Sequence, residues 1–218
     1  MLWVRAPSNL GFTMDELDEL GLPVWAAAER NKQPILDELL TLIRPQPGRI
    51  LEISAATGQH AVHFAPHFPA HNYYVSDCDP THIKTLAQRL KLARIPNLMG
   101  PLYLDTTEQP WPLSDVDVLY NANMTHIAPF EASVGLFQGA QTVLKQGGLL
   151  LTYGPFRVDG QHTSESNAQF HASLLARNPA WGVRDLTELT QLALGCGLTL
   201  QEKRAMPANN LLVVWRKA

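Results

Sequence analysis

The chain has 218 residues, 45% of them hydrophobic, with 17 Lys and Arg against 20 Asp and Glu. That length suits one domain with a good core, and a mildly acidic balance without a basic run argues against a nucleic-acid partner. No apolar stretch nears the roughly 20 residues of a membrane span. The N-terminus lacks a basic region followed by an apolar core, and Cys78 and Cys196 stand far apart with no metal spacing. The expectation is therefore a reduced, cytoplasmic protein with no membrane partner.

Residues 1–23 are poorly patterned, with Pro7, Gly11, Gly21 and acidic Asp15, Glu16, Asp18 and Glu19, and read as an N-terminal arm or a short helix. Residues 24–43 read as a helix, with Ile35, Leu36, Leu39, Leu40 and Ile43 at helical spacing and Pro34 as a point of kinking or division. The first strand, Arg49 to Ile53, carries Glu52 and breaks into the small residues Ser54, Ala55, Ala56, Thr57 and Gly58, behind which a helix runs to about Pro66. Strand, cramped loop and helix together make a cofactor-binding turn of a Rossmann-like sheet, because a ligand that approaches the backbone closely excludes larger side chains. His60, His63 and His67 recur on one helical face, but no carboxylate or cysteine joins them as a metal partner.

The second strand, Asn72 to Ser76, ends at Asp77, and Asp79 with Pro80 predicts the cap and first position of a helix to about Ala93. A carboxylate at Asp77, about 25 residues after Glu52, suits the hydroxyls of a ribose. The third strand, near Leu98 to Leu104, ends at Asp105. The fourth, Val116 to Tyr120, opens into Asn121, Asn123 and His126. Phe130, Val134, Phe137 and Leu144 mark a helix begun by Pro129 and stopped by Gly147 and Gly148. The fifth strand, Leu149 to Tyr153, precedes an insertion over 155–184 with a helix from about Ser166 to Arg177. A helix capped by Asp185, with Glu188 three residues on, leads to strands at Leu198 to Lys203 and Leu211 to Arg216. No helix separates these last two, so they are expected to be antiparallel.

The resulting fold class is α/β, a Rossmann-like, doubly wound, seven-stranded and mostly parallel sheet with an antiparallel last strand. The order Glu52, Ser54, Ala56, Gly58 resembles the first motif of class I S-adenosylmethionine (SAM)-dependent methyltransferases, with Ser54 and Ala56 where that family has glycine. Further phrases resemble a small, uncharacterised methyltransferase-like family over residue 24 to the end. They include Ala28-Glu29-Arg30-Asn31-Lys32, Thr57-Gly58-Gln59-His60, Asn123-Met124-Thr125-His126-Ile127, Tyr153-Gly154-Pro155-Phe156 and Met206-Pro207-Ala208-Asn209-Asn210.

The resemblance implies SAM as cofactor and S-adenosylhomocysteine (SAH) as product. It implies cofactor contacts from Glu52, Ser54, Ala55, Ala56 and Gly58, from Asp77 and Asp105, and from Asn121 and Asn123. Candidate catalytic residues are His126, as a base at the rim, and Tyr153. Arg30, Asn31, Asn209 and Asn210 are candidates for the acceptor. The polar, modest-sized insertion suggests a small-molecule acceptor, for a chain that is a monomer or homodimer. The alternative is a non-catalytic protein of the same fold that keeps SAM or SAH as a structural or sensing ligand.

Overall fold

The computed structural model describes residues 17–218. The N-terminal arm read from the sequence therefore lies outside the described residues from 1 to 16. Its remainder makes a tight turn: Asp18 Oδ1 accepts from Leu20 N and Leu22 N at 2.9 and 3.0 Å, and Leu17 bridges Pro23. No helix among the described residues is long and apolar enough to cross a membrane.

The elements follow in order: α1 (Ala26–Leu42), β1 (Gly48–Ile53), α2 (Gln59–Phe64), β2 (His71–Asp77), α3 (Pro80–Ala93), β3 (Leu98–Tyr103) and β4 (Val116–Ala122). Then come α4 (Phe130–Val143), β5 (Leu144–Gly154), β6 (Arg157–Val158), β7 (Gln161–His162), α5 (Glu165–Arg177), α6 (Leu186–Gly195), β8 (Leu198–Met206) and β9 (Asn210–Lys217). Seven strands form one sheet in the order β3-β2-β1-β4-β5-β9-β8. The first five are parallel; β9 runs antiparallel between β5 and β8. The fold class is the one expected.

Both faces of the sheet are covered, which is why its central strands read as continuous apolar runs. The period of two divides them. Leu51, Leu119, Leu150, Val213 and Trp215 point to a core shared with α4 and α6. Ile50, Val118, Leu151 and Val214 point to one shared with α1, α2 and α3. Trp215, wholly buried, edge-stacks on Phe137 at 5.1 Å and donates its indole N–H to Thr152 Oγ1 at 3.1 Å. Side chains of this size contribute roughly 1.5–3 kcal/mol each when fully buried.

Three local expectations change. Pro34 neither divides nor ends α1, which runs through it; the carbonyl deprived of a donor belongs to exposed Arg30, within reach of solvent. Helix α4 stops at Val143, before the two glycines, because Leu144 already pairs with Val116; Gly147, with φ of 73°, lies inside the irregular start of β5. The insertion holds, besides α5, the hairpin β6–β7. The cap at Asp185 is made to Thr187 N at 2.8 Å and Gly160 N at 2.6 Å, so it fastens that hairpin to α6.

Candidate functional site

A cavity of about 230 Å³ opens at the carboxyl ends of β1, β2 and β4, beneath α1. Ligands in open α/β sheets bind at this edge. Its floor is the turn after β1. Ser54, Ala56 and Gly58 all hold left-handed backbone, with φ of 57°, 50° and 76°. The two residues that stand where the motif has glycine thus adopt glycine's conformation, and each carries only a small side chain into it. The turn is fixed from behind: Ala55 N donates to Ser76 O at 2.9 Å, and Ala56 N to Asp77 Oδ2 at 2.9 Å.

Asp77, 4% exposed, also accepts from Asp79 N at 2.9 Å and lies 3.2 Å from His82 Nδ1. Burial pulls the His82 imidazole down, but the hydrogen bond and charge of Asp77, with Asp79, outweigh it and leave His82 above its ordinary value. Asp79 caps α3 through Thr81 N at 2.6 Å, as the sequence predicts.

Glu52 also reaches the cavity. Its Oε2 accepts from Tyr73 OH at 2.8 Å, while Oε1 lies 4.0 Å from His60 Nδ1. Burial pushes this carboxyl up to about 8; the Tyr73 hydrogen bond opposes the shift and the Asp77 charge adds to it. His60 bonds Asn31 Oδ1 through Nε2 at 2.7 Å and Tyr120 OH through Nδ1 at 3.3 Å, and burial, chiefly, brings it down to about 4. His63 turns instead to Gln33, at 3.0 Å. Among the described residues no three metal-ligating side chains gather.

The structure thus brings Glu52, Ser54, Ala55, Ala56, Asp77, Asn123 and Asn31 to one cavity. The other expected residues fall elsewhere. Gly58 faces α3, where a Cβ would meet Leu86 at 2.8 Å; its missing side chain lets the turn sit on that helix. Asp105 folds back on its own turn, accepting from Thr107 N and Oγ1 at 2.9 and 2.7 Å. Asn121, wholly buried, donates to Ile53 O at 2.9 Å and braces β4 against β1; its Oδ1 has no partner among the described residues.

His126 is also wholly buried, edge-on to Phe156 at 5.0 Å, and burial together with the Arg184 charge takes it down to about 3. It lies against Gly154 so closely that a Cβ there would be 2.4 Å from its Nε2. In this conformation the His126 imidazole is turned into the core rather than toward the rim, and it packs the loop down. Tyr153, 3% exposed, is outside the lining; burial raises its hydroxyl above the ordinary value, and the nearby amides of Asn31 and Asn210 oppose the shift. Arg30 is exposed and outside the lining. The Asn209 amide donates to Ser166 Oγ at 3.3 Å and the Asn210 amide to Pro207 O at 3.0 Å, and neither residue is in the lining.

Several contributors carry no motif. Gln59 Oε1 accepts from Trp25 N at 2.5 Å and its amide donates to Glu29 at 2.6 Å, fastening α1 over the turn. Arg89, 1% exposed, binds Thr57 O and Asp18, and Pro23 O at 2.9 Å, so one guanidinium holds both the turn and the chain before α1. An arginine one turn from buried Leu86 on the inward face of α3 is the sequence signal that marks it. Trp181 reaches the cavity because Gly182 N donates to His126 O at 2.9 Å; nothing in its local pattern places it there.

The strand order, with its antiparallel strand and cavity at the carboxyl edge, defines the class I methyltransferase fold. Solved structures agree. The mitomycin 7-O-methyltransferase MmcR matches at a TM-score of 0.74 and 16% identity, over 89% of this chain and 55% of that one. Human N-acetylserotonin methyltransferase, in complex with SAM, matches at 0.72 and 16%, over 88% and 53%. PigF with SAH matches at 0.73 and 14%, over 87% and 56%. The chain thus spans little more than half the length of these relatives. Residues 23–217 match the family described as protein of unknown function DUF938, and the chain belongs to that family.

Proposed function

We propose that the protein is a SAM-dependent methyltransferase acting on a small-molecule acceptor, with residues 24–218 as one unit and the 155–184 insertion over the acceptor side. The observation that carries this reading is the cavity that runs from the left-handed turn at Ser54 and Ala56 to Asp77. When bound, SAM supplies a methyl carbon activated by a sulfonium and leaves as SAH.

The residues present fit such a group. The turn offers backbone that a ligand can approach closely, and Ser54, Ala55 and Ala56 are small enough to permit it. Asp77 would hold the ribose through Oδ2, which accepts from Ala56 N and retains a further lone-pair site, whereas Oδ1 is already taken by Asp79 N and His82 Nδ1. Glu52 Oε1, free of a hydrogen bond to the described residues, would hydrogen-bond the methionine end together with Asn123. The carboxyl groups of Asp77 and Asp79 favour a positively charged ligand. With His126 packed away, the chain contributes alignment of acceptor and methyl rather than proton removal by a rim histidine.

Calorimetry with SAM, SAH and NAD tests this reading: the first two bind and NAD does not. Binding of NAD alone would overturn it. The burial of His126 favours a second reading, a protein that holds SAM or SAH without turning it over. A chain that binds SAM but forms no SAH with any fraction of a small-molecule extract decides for that second reading.

A further inference from the structure

The cavity changes character along the sheet edge. Strand order places β2 and β4 on opposite sides of β1, about 10 Å apart at roughly 4.8 Å per strand. Glu52, Asp77, Asp79 and His82 gather at the β2–β1 end. The β4 end is walled by Met124, Ile127 and Ala128, with Trp181 from the insertion, while Trp25, just before α1, and Ala28 complete the lining. The polar side chains nearest this end are the amides of Asn31 and Asn123 and the imidazole of His60, and Asn31 Oδ1 is already bonded to His60.

Cations are missing from this wall. No Lys or Arg lines the cavity among the described residues. Arg184, the cation bound to the 122–128 loop, spends its donors on backbone: Thr125 O at 2.8 Å, Ala128 O at 2.6 Å and Ala180 O at 2.8 Å. An anion at the β4 end would lose its hydration, find no counter-charge and face the carboxyl groups of the other end. An uncharged ring would lose nothing of the kind, and the indole of Trp181 offers it a flat apolar face.

We propose that the β4 end takes the methyl acceptor, and that this acceptor is an uncharged, largely apolar, ring-bearing small molecule packed against Trp181. The assignment of that end to the acceptor rests on the methyltransferase reading; the preference for an uncharged ring rests on the wall alone.

The test uses the full chain with saturating SAH, titrated with 1-naphthol and with naphthalene-1-sulfonate, the same rings bearing a fixed negative charge. Binding is read by calorimetry and by tryptophan fluorescence. The expected result is that the sulfonate binds at least tenfold more weakly than the naphthol. Trp181→Ala weakens naphthol at least fivefold while SAH affinity stays within twofold, and Trp181→Phe keeps most of the wild-type affinity. Ile127→Lys closes the gap between the two probes by about tenfold. Should Trp181→Ala fail to fold by circular dichroism, Trp181→Phe and Ile127→Lys still decide. Equal affinity for the two probes, no naphthol binding to a chain that binds SAH, or indifference to the substitutions overturns the proposal. Failure of SAH itself to bind sinks the methyltransferase reading, and the naphthol–sulfonate comparison on the same chain still judges the chemistry of the wall.

Discussion

The two halves of the sheet's carboxyl edge carry similar residues and use them differently. After β1 and β2, polar and small residues leave a space: the backbone of the turn is satisfied by its neighbour strand, through Ser76 O and Asp77, so the turn needs no side chain of its own to hold it. After β4 and β5, several polar residues turn inward: Asn121, His126 and Tyr153 are each 3% exposed or less, and Asn121 and His126 meet neighbouring backbone. A polar residue at a strand end is therefore not by itself a ligand contact.

The largest test of that contrast is Arg89→Met. Its guanidinium satisfies carbonyls of the turn and of the chain before α1, and removing it leaves buried acceptors and Asp18 without their donor. The expected loss is about 3–5 kcal/mol of stability, read by urea unfolding. A loss below about 1 kcal/mol would mean that the open half holds itself without this clamp.

On the closed half, His126→Ala should cost about 2–4 kcal/mol, because it empties a wholly buried site, while SAM affinity stays within twofold. A variant that folds as well as the wild type but loses turnover would restore His126 to catalysis.

The halves also differ in how they titrate. His126, lowered to about 3 from an ordinary 6.5, binds its proton more readily unfolded, so it costs stability as the pH falls below about 6.5. His60, lowered to about 4, acts in the same direction. Glu52, raised from 4.5 to about 8, holds its proton more readily folded; its contribution is complete below about 4.5 and is lost as the pH rises through 8. Each group gives at most about 1.4 kcal/mol per pH unit within its window. Urea midpoints between pH 5.5 and 8 should fall less steeply on the alkaline side in Glu52→Gln than in the wild type, and parallel curves would show that Glu52 is ionised throughout.

Much of the open half was legible in the sequence. Glu52, the run of small residues, Asp77 and the Asp79–Pro80 cap follow from local rules, and local hydrogen bonds realise them. The seven-stranded topology followed from spacing and from the uninterrupted last pair of strands. What local rules do not carry is where a loop's side chains point once the next element packs on it. Asn121 and His126 turned inward because β1 and the insertion supplied Ile53 O, Phe156 and Arg184 as neighbours. Trp25 joined the cavity through its bond to Gln59, 34 residues distant by number, and Trp181 through its neighbour Gly182, bonded to His126 56 residues away, which no window of sequence contains.

Binding sharpens the contrast further. Asp77→Ala should weaken SAM at least tenfold, about 1.4 kcal/mol, if the carboxylate grips the ribose as proposed. Asp105→Ala, whose carboxylate is engaged with Thr107, should leave affinity within twofold. Equal effects from the two would remove the distinction between the lining and the residues behind it.

The smallest effect concerns the turn itself. Ala56 holds a φ of 50°, which costs an L-residue roughly 1–2 kcal/mol, whereas glycine adopts it freely but loses more chain entropy on folding, roughly 0.5–1 kcal/mol. The entropy offsets part of the strain, so Ala56→Gly should raise stability by about 0–1.5 kcal/mol. Ala56→Val, with a branched Cβ in the same backbone, should lower it by more than that, while Ala128→Val on the β4 wall serves as the control for added bulk. Urea midpoints in the order Gly, Ala, Val at position 56 would show that the turn keeps its left-handed shape without two of the expected glycines. A valine there that costs nothing would mean that the turn does not hold this backbone, and with it would go the close approach on which the cavity's use depends.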